Sequence, residues 1–288
     1  MASLKKVAQN SFFYTISSLL LRASSIIFFP IFSLYLTKSD YGILSISQSI
    51  IGFVTLFGGL ELGRALTRFI FNEAGEEKGN HSSLIYTVLC SSFIATCSLV
   101  VILSLTGSYL LKPILNDIPF FPYVFVFLLF IPFNCFVETC RVYLKATHEG
   151  FKAFILDTSF FSCNILLNLL FVVIFRMDAL GIILSTTVST SIFTIVLYFT
   201  FYKHISFSFS KKVLDNMLKY SMPLIPFSVL NILFESVDKF FLNAEDGSQS
   251  SGIYYIALTF AAIFSSAKEA IVNAFTPWLF SNINKKSE

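Results

Sequence analysis

Long apolar runs separated by short polar connections fill this chain from end to end. Eight runs stand out, at about 11–36, 42–62, 84–108, 118–138, 153–175, 179–202, 220–243 and 253–280. Each has about 20 residues or more, enough for a helix to cross ~30 Å of hydrocarbon. Within a run the apolar residues are continuous and do not alternate, which argues against the strands of a membrane barrel. The pattern predicts an all-α polytopic membrane protein of about eight transmembrane helices. Lys5 and Lys6 precede the first run, but Ser11 to Leu36 is too long for a signal peptide and has no small-residue cleavage site. It reads as an uncleaved first span.

Composition agrees with the pattern. The chain is 55% hydrophobic and 13% charged, against about 25% charged in a soluble domain. The basic residues also sort by position. Fourteen of the twenty lie at the termini or in the connections after runs 2, 4 and 6, and three (Lys38, Lys112 and Arg176) lie in the other connections. Positive-inside bias then puts both termini in the cytoplasm and favours an even number of spans. The five cysteines sit in or beside apolar runs with no CxxC spacing, and His81, His148 and His204 fall in separate connections. These read as small buried side chains and loop residues, with no metal or redox centre. No nucleic-acid partner is expected.

The charges inside the runs carry the functional information. Each costs roughly 2.5–3.5 kcal/mol at a helix centre, so such residues face protein or a water-filled cavity. Arg22 stands about ten residues into the first run and Lys268, beside Glu269, about fifteen into the eighth. Each is either tied to carbonyls for packing or a cavity cation awaiting an anion. The seventh run carries Glu235, Asp238 and Lys239, with Glu235 and Lys239 at the i, i+4 spacing of a self-compensating pair. Glu61, Arg64 and Arg68 close the second run on one helical face, as an end-of-helix ion pair or a headgroup site. Two further stripes, Asn134, Glu138, Arg141 and Lys145, and then Asp157, Asn164 and Asn168, are either interhelical hydrogen-bonding groups or the polar wall of a cavity. Runs 3 and 6 are uncharged and are expected to face lipid or back the bundle.

A repeat divides the chain. Tyr41-Gly-Ile43 follows the first run and Ser251-Gly-Ile253 the seventh, an offset of 210. That is the spacing of parallel six-helix lobes. Residues 1–202 are expected to form a six-helix lobe, 203–219 a basic cytoplasmic linker with a short amphipathic helix, and 220–288 the first two helices of a second lobe. The charged runs 1, 2, 7 and 8 are then equivalent hairpins that would line one shared cleft.

The chain resembles a known family at several points: Asn10-Ser-Phe-Phe-Tyr14, Tyr41-Gly-Ile43, Gly59-Leu-Glu-Leu-Gly-Arg64 with Arg68-Phe69, Tyr220-Ser-Met-Pro-Leu-Ile-Pro226, Asp238-Lys-Phe-Phe-Leu242, and Gly252-Ile-Tyr254 with Ala257. It is similar to the Wzx-type polysaccharide repeat-unit flippases of the MATE-like MOP exporter superfamily. The resemblance implies transport of undecaprenyl-diphosphate-linked oligosaccharide across the bacterial inner membrane for O-antigen or capsule synthesis. A polysaccharide polymerase and assembly proteins are candidate partners. A pyrophosphate needs cations in a low-dielectric cavity, so for that substrate Arg22 and Lys268 are the expected diphosphate-binding residues, with Arg64 and Arg68 at the cytoplasmic mouth. Glu235, Asp238, Lys239 and Glu61 become candidates for gating, or for coupling to a proton or cation, and no other cofactor is implied. The family has twelve or more helices, so eight runs read as a C-terminally truncated form. Three alternatives stay open: a multidrug or cell-wall-precursor exporter on the same fold, a non-functional remnant, and a membrane polymerase. Outer connections of about ten residues or fewer count against the polymerase.

Overall fold

The computed structural model describes residues 28–73, 81–147, 149–201, 208–262 and 264. Among them every regular element is helical, and six helical segments are long and apolar enough to cross a membrane. These are Lys38–Gly59, Ser82–Leu110, Phe120–Ala146, Gly150–Ile174, Asp178–Phe201 and Lys211–Asp246. The chain is an all-α polytopic membrane protein. The six segments match apolar runs 2 to 7. Run 1 is described only from residue 28 and run 8 only as far as 264, so Arg22, Lys268 and Glu269 lie outside the described residues.

Helix α1 (Lys38–Gly59) starts at a reciprocal cap. The Asp40 backbone N–H donates to Thr37 Oγ1 at 3.2 Å, and the Thr37 N–H donates to Asp40 Oδ2 at 2.8 Å. Two N–H groups that no helix bond reaches are thereby satisfied. The helix ends where Leu60 and Glu61 both turn left-handed, at φ 50° and 53°. This corrects the expectation of one charged face: the break puts Glu61 in a turn and leaves Arg64 and Arg68 on a separate amphipathic helix, α2 (Leu62–Glu73). Its apolar positions Leu62, Ala65, Leu66 and Ile70 are buried against the start of the next span.

That span, α3 (His81–Leu110), is apolar on nearly every side. Its hydroxyls do not stay unpaired: Ser91, Ser92, Thr96 and Ser104 donate to carbonyls four residues back. Such back-bonding lets polar side chains sit in a helix surrounded by lipid. A short helix α4 (Lys112–Leu115) and a kinked turn, Phe120–Val124, lead into α5 (Phe125–Ala146). Then come α6 (Gly150–Asn168), prolonged by a wide turn at Leu169–Ile174, and α7 (Asp178–Phe201). The connector expected over 203–219 is helical from Lys211. Helix α8 (Lys211–Ser221), capped by Ser210, passes through a tight turn at Met222–Leu224 into α9 (Ile225–Asp246). Pro226 stands in the first turn of α9, where a missing N–H breaks no helix bond. A final described helix, α10, covers residues 248–262.

Helix α5 is central, packed on α3 and α7, while α1 lies between α3 and α9, and α6 pairs with α7. Ile46, Leu128, Ile131 and Ile183 form the fully buried heart. Asn164 and Asn168 of the second polar stripe serve the α6–α7 pairing. Asn164 Nδ2 donates to Ser189 Oγ at 3.0 Å, Asn168 Nδ2 donates to Asn164 Oδ1 at 2.8 Å, and Ser185 Oγ donates to Asn168 Oδ1.

Because successive spans run in opposite directions, their charged ends collect. Arg64, Arg68, Arg141, Lys145, Lys152 and α8 gather at one end, here the basic end; Lys38, Lys112 and Arg176 mark the neutral end. At the neutral end α1 crosses α10 at backbone contact. A Cβ on Gly42 would come within 1.9 Å of the Ser248 carbonyl oxygen, and one on Gly252 within 1.8 Å of the Lys38 carbonyl oxygen. The two contacts are reciprocal: positions 38 and 42 are related to 248 and 252 by the same offset of 210 that relates the Gly-Ile turns.

Candidate substrate cavity

A cavity of about 420 Å³ opens among α1, α2, α3, α5 and α9, toward the basic end. Its wall includes Glu61, Arg64, Asn134, Glu138, Asn231 and Glu235, with the hydroxyls of Thr55, Ser92 and Ser228. Three carboxylates therefore face one arginine. Arg64 Nε lies 3.2 Å from Glu61 Oε2, with Glu61 mostly covered and Arg64 half exposed. Glu138 accepts from Arg141 Nη1. Arg141 also brings its Nε within 2.8 Å of Asp157 Oδ1, but the N–H is not aimed at that oxygen, so the contact is a charge pair rather than a directed hydrogen bond. The guanidinium lies 5.0 Å over the ring of Phe160. Arg141 thus belongs to the α5–α6 seam, and its neighbour Glu138 reaches the cavity. Glu235 is the one carboxylate of the wall without an ion pair in the described structure; Lys239, one turn on, does not close with it.

This bundle and its cavity lie within residues 7–283, which match the family model described as "Polysaccharide biosynthesis protein". The chain belongs to the polysaccharide biosynthesis protein family. No curated protein and no solved structure matches it. The cavity thus belongs to a member of a family described by its part in polysaccharide biosynthesis.

The structure brings together only part of the residue set expected from sequence. Glu61, Arg64 and Glu235, from the second and seventh runs, share the cavity wall. Arg68 does not join them; its guanidinium stacks on Tyr220 at 4.3 Å, a cation–π contact between α2 and α8. Asp238 accepts from the Tyr254 hydroxyl at 2.8 Å and ties α9 to α10. Lys239 is partly buried on α9 off the lining. The first polar stripe splits: Asn134 and Glu138 line the cavity, while Arg141 pairs across helices. Among the described residues no cluster of His, Cys, Asp and Glu is arranged to hold a metal ion.

Five polar wall residues escaped the sequence reading: Thr55, Ser92, Thr139, Ser228 and Asn231. Ser228, Asn231 and Glu235 fall at i, i+3 and i+7, so the rule that grouped the other stripes would have found them. Ser92 had no such signal, because its span carries no charge.

A polar clasp also went unread at the neutral end. Asp117 accepts from the Ser248 N–H at 3.1 Å and from Ser248 Oγ at 2.6 Å, at the N-terminus of α10. Fully buried Asn243 donates to the carbonyls of Ile114 and Leu115 at 2.9 and 3.1 Å, and Asn116 Nδ2 donates back to the Asn243 carbonyl at 2.9 Å. The turn between α9 and α10 is thereby fastened to α4, at the end opposite the cavity.

Proposed function

We propose that this chain moves a glycan carried on undecaprenyl diphosphate between the leaflets of the bacterial cytoplasmic membrane, with the basic end and both termini in the cytoplasm. The observation that carries the reading is the cavity of about 420 Å³, a wall of carboxylates, amides and hydroxyls inside a lipid-facing bundle of a polysaccharide family. A saccharide needs such hydrogen-bonding groups, and a helix wall supplies them without exposing them to acyl chains. The diphosphate needs cations. Arg64 is partly neutralised by Glu61, so Arg22 and Lys268 carry that role in this reading, with Arg68 at the mouth. Glu235, unpaired in the wall, is the residue to bind a coupling proton or cation; Asp238 and Lys239 support α9 beside it. Polysaccharide polymerase and assembly proteins would act downstream.

The test is a leaflet assay for lipid-linked oligosaccharide in cells that depend on this chain. Arg22→Ala, Lys268→Ala and Glu235→Gln are expected to leave protein levels unchanged and to trap the glycan lipid on the cytoplasmic side. Normal flipping in all three variants would end the reading. The excess of acids in the wall favours one competitor, an exporter of cationic amphiphiles on the same fold. That reading predicts dye efflux that Glu235→Gln abolishes and glycan-lipid transport that never occurs.

A further inference from the structure

A second cavity, of about 250 Å³, lies toward the neutral end among the helical turn at 28–32, α1, α6, α7 and α10. Its character differs from the first. The polar groups of its wall are Tyr41, Gln48, Asn164, Asn168, Thr186, Thr259 and Tyr255, and among the described residues no charged side chain lines it. Phe28, Phe29 and Phe161 add ring faces. Amides and phenols among aromatic rings, with no net charge, match a neutral polyol ring: its hydroxyls need both donors and acceptors, and its C–H faces pack on aromatic carbon. The volume lies just under the usual small-molecule range of about 300–1,000 Å³, so it suits one sugar ring and not a chain.

The wall is built, with bonding capacity left over. Tyr255 donates its hydroxyl to Gln48 Oε1 at 3.1 Å, which leaves the Gln48 amide nitrogen to donate elsewhere. Asn164 and Asn168 are held by each other, by Ser185 and by Ser189, so their orientation is set before any ligand arrives. Tyr41 is only 8% exposed; its ring lines the cavity, while its hydroxyl oxygen is closed off behind the wall with no hydrogen-bond partner among the described residues. The Gln48 side chain is exposed, so its free amide N–H is the donor that a ligand hydroxyl would meet.

The two cavities also share one face of α1. Gln48 belongs to the second, Gly52 and Thr55 to the first, and these fall at i, i+4 and i+7. Seven residues separate Gln48 from Thr55, about 10 Å along the helix axis, the scale of two linked sugar rings. We propose that the neutral-end cavity is a monosaccharide subsite, which holds one uncharged sugar ring of the substrate beside the glycan units in the basic-end cavity, while Arg22 and Lys268 hold the diphosphate. The subsite rests on the lipid-linked glycan reading above and adds the chemistry of recognition to it.

Binding to the full chain in nanodiscs separates the two ideas. The probes are a short-chain prenyl diphosphate, bare or bearing one glucose, galactose, N-acetylglucosamine or N-acetylgalactosamine. At least one glycosylated probe is expected to bind about tenfold or more tighter than the bare lipid. Gln48→Leu and Asn164→Leu are expected to erase that preference and leave affinity for the bare lipid unchanged. Gln48→Leu is the sharper variant, because it removes the free amide donor of an exposed side chain and leaves the helix intact. A merely structural amide would therefore change nothing in binding. Bare-lipid binding with no preference for any sugar, or a preference that survives both variants, overturns the subsite and spares the flippase. Binding of no probe overturns both.

Discussion

Arg141 shows how a charge can be present in a membrane bundle for reasons other than transport. It joins Glu138 on its own helix to Asp157 on the next, and both Arg141 and Asp157 side chains are largely buried, at 12% and 9% exposure. Removing one partner strands the other. Arg141→Ala should therefore destabilise the bundle by about 3–5 kcal/mol, read as a loss of thermal stability in detergent. Adding Asp157→Ala to that variant should restore much of the loss, because no uncompensated charge then remains buried. Asn243 is the neutral counterpart at the opposite end. Its amide satisfies the Ile114 and Leu115 carbonyls, which have no helix partner at the end of α4. Asn243→Ala should cost about 1–3 kcal/mol, and Asn243→Asp should not rescue it, since a carboxylate cannot donate to two carbonyls.

At the scale of elements, the crossing of α1 and α10 is the most demanding contact. Backbone meets backbone there, so any Cβ at Gly42 must push the Ser248 carbonyl away. Gly42→Ala is expected to destabilise by about 1–3 kcal/mol, as overpacking does. Gly52→Ala, one helix face over, gives the control. Its Cβ would meet nothing closer than Ile232 Cγ2 at 3.8 Å, and alanine is the better helix former by about 1 kcal/mol. That variant should melt no lower than the parent. If both variants behave alike, the crossing is looser than the backbone contact requires. Helix α9 makes the opposite case: it packs on α1 and α4 along one side, while Phe227, Leu230, Phe234 and Phe241 stay exposed on the other. Apolar exposure of that kind suits lipid.

For the whole molecule, the distribution of charge predicts the orientation proposed above. Single cysteines placed at Lys145 and Lys112, in a background with the five native cysteines replaced, should react with a membrane-impermeant thiol reagent from opposite sides. The Lys112 position should be labelled in intact cells and Lys145 only after lysis. The reverse pattern would invert the bundle and put the charged cavity toward the exterior, where a substrate made in the cytoplasm could not load.

Hydrophobic length and continuity were enough to read the spans, because lipid forces every backbone polar group to be bonded internally, in a helix or a closed barrel, and continuous apolar runs do not alternate as barrel strands do. Runs 2 to 7 needed no tertiary information, and neither did the sorting of basic residues. Helical spacing also identified the polar stripes on runs 4 and 5. What spacing along one helix cannot tell is which neighbour a stripe meets. Glu61 left its expected face because two left-handed residues broke the helix, and Arg68 turned to Tyr220 because α8 came to rest beside it. Glu138 and Arg141, one turn apart, were divided between a cavity and an interhelical seam. The sugar-sized pocket takes residues from positions as far apart as 41 and 259, and only the packing of helices brings such positions within reach of one ligand.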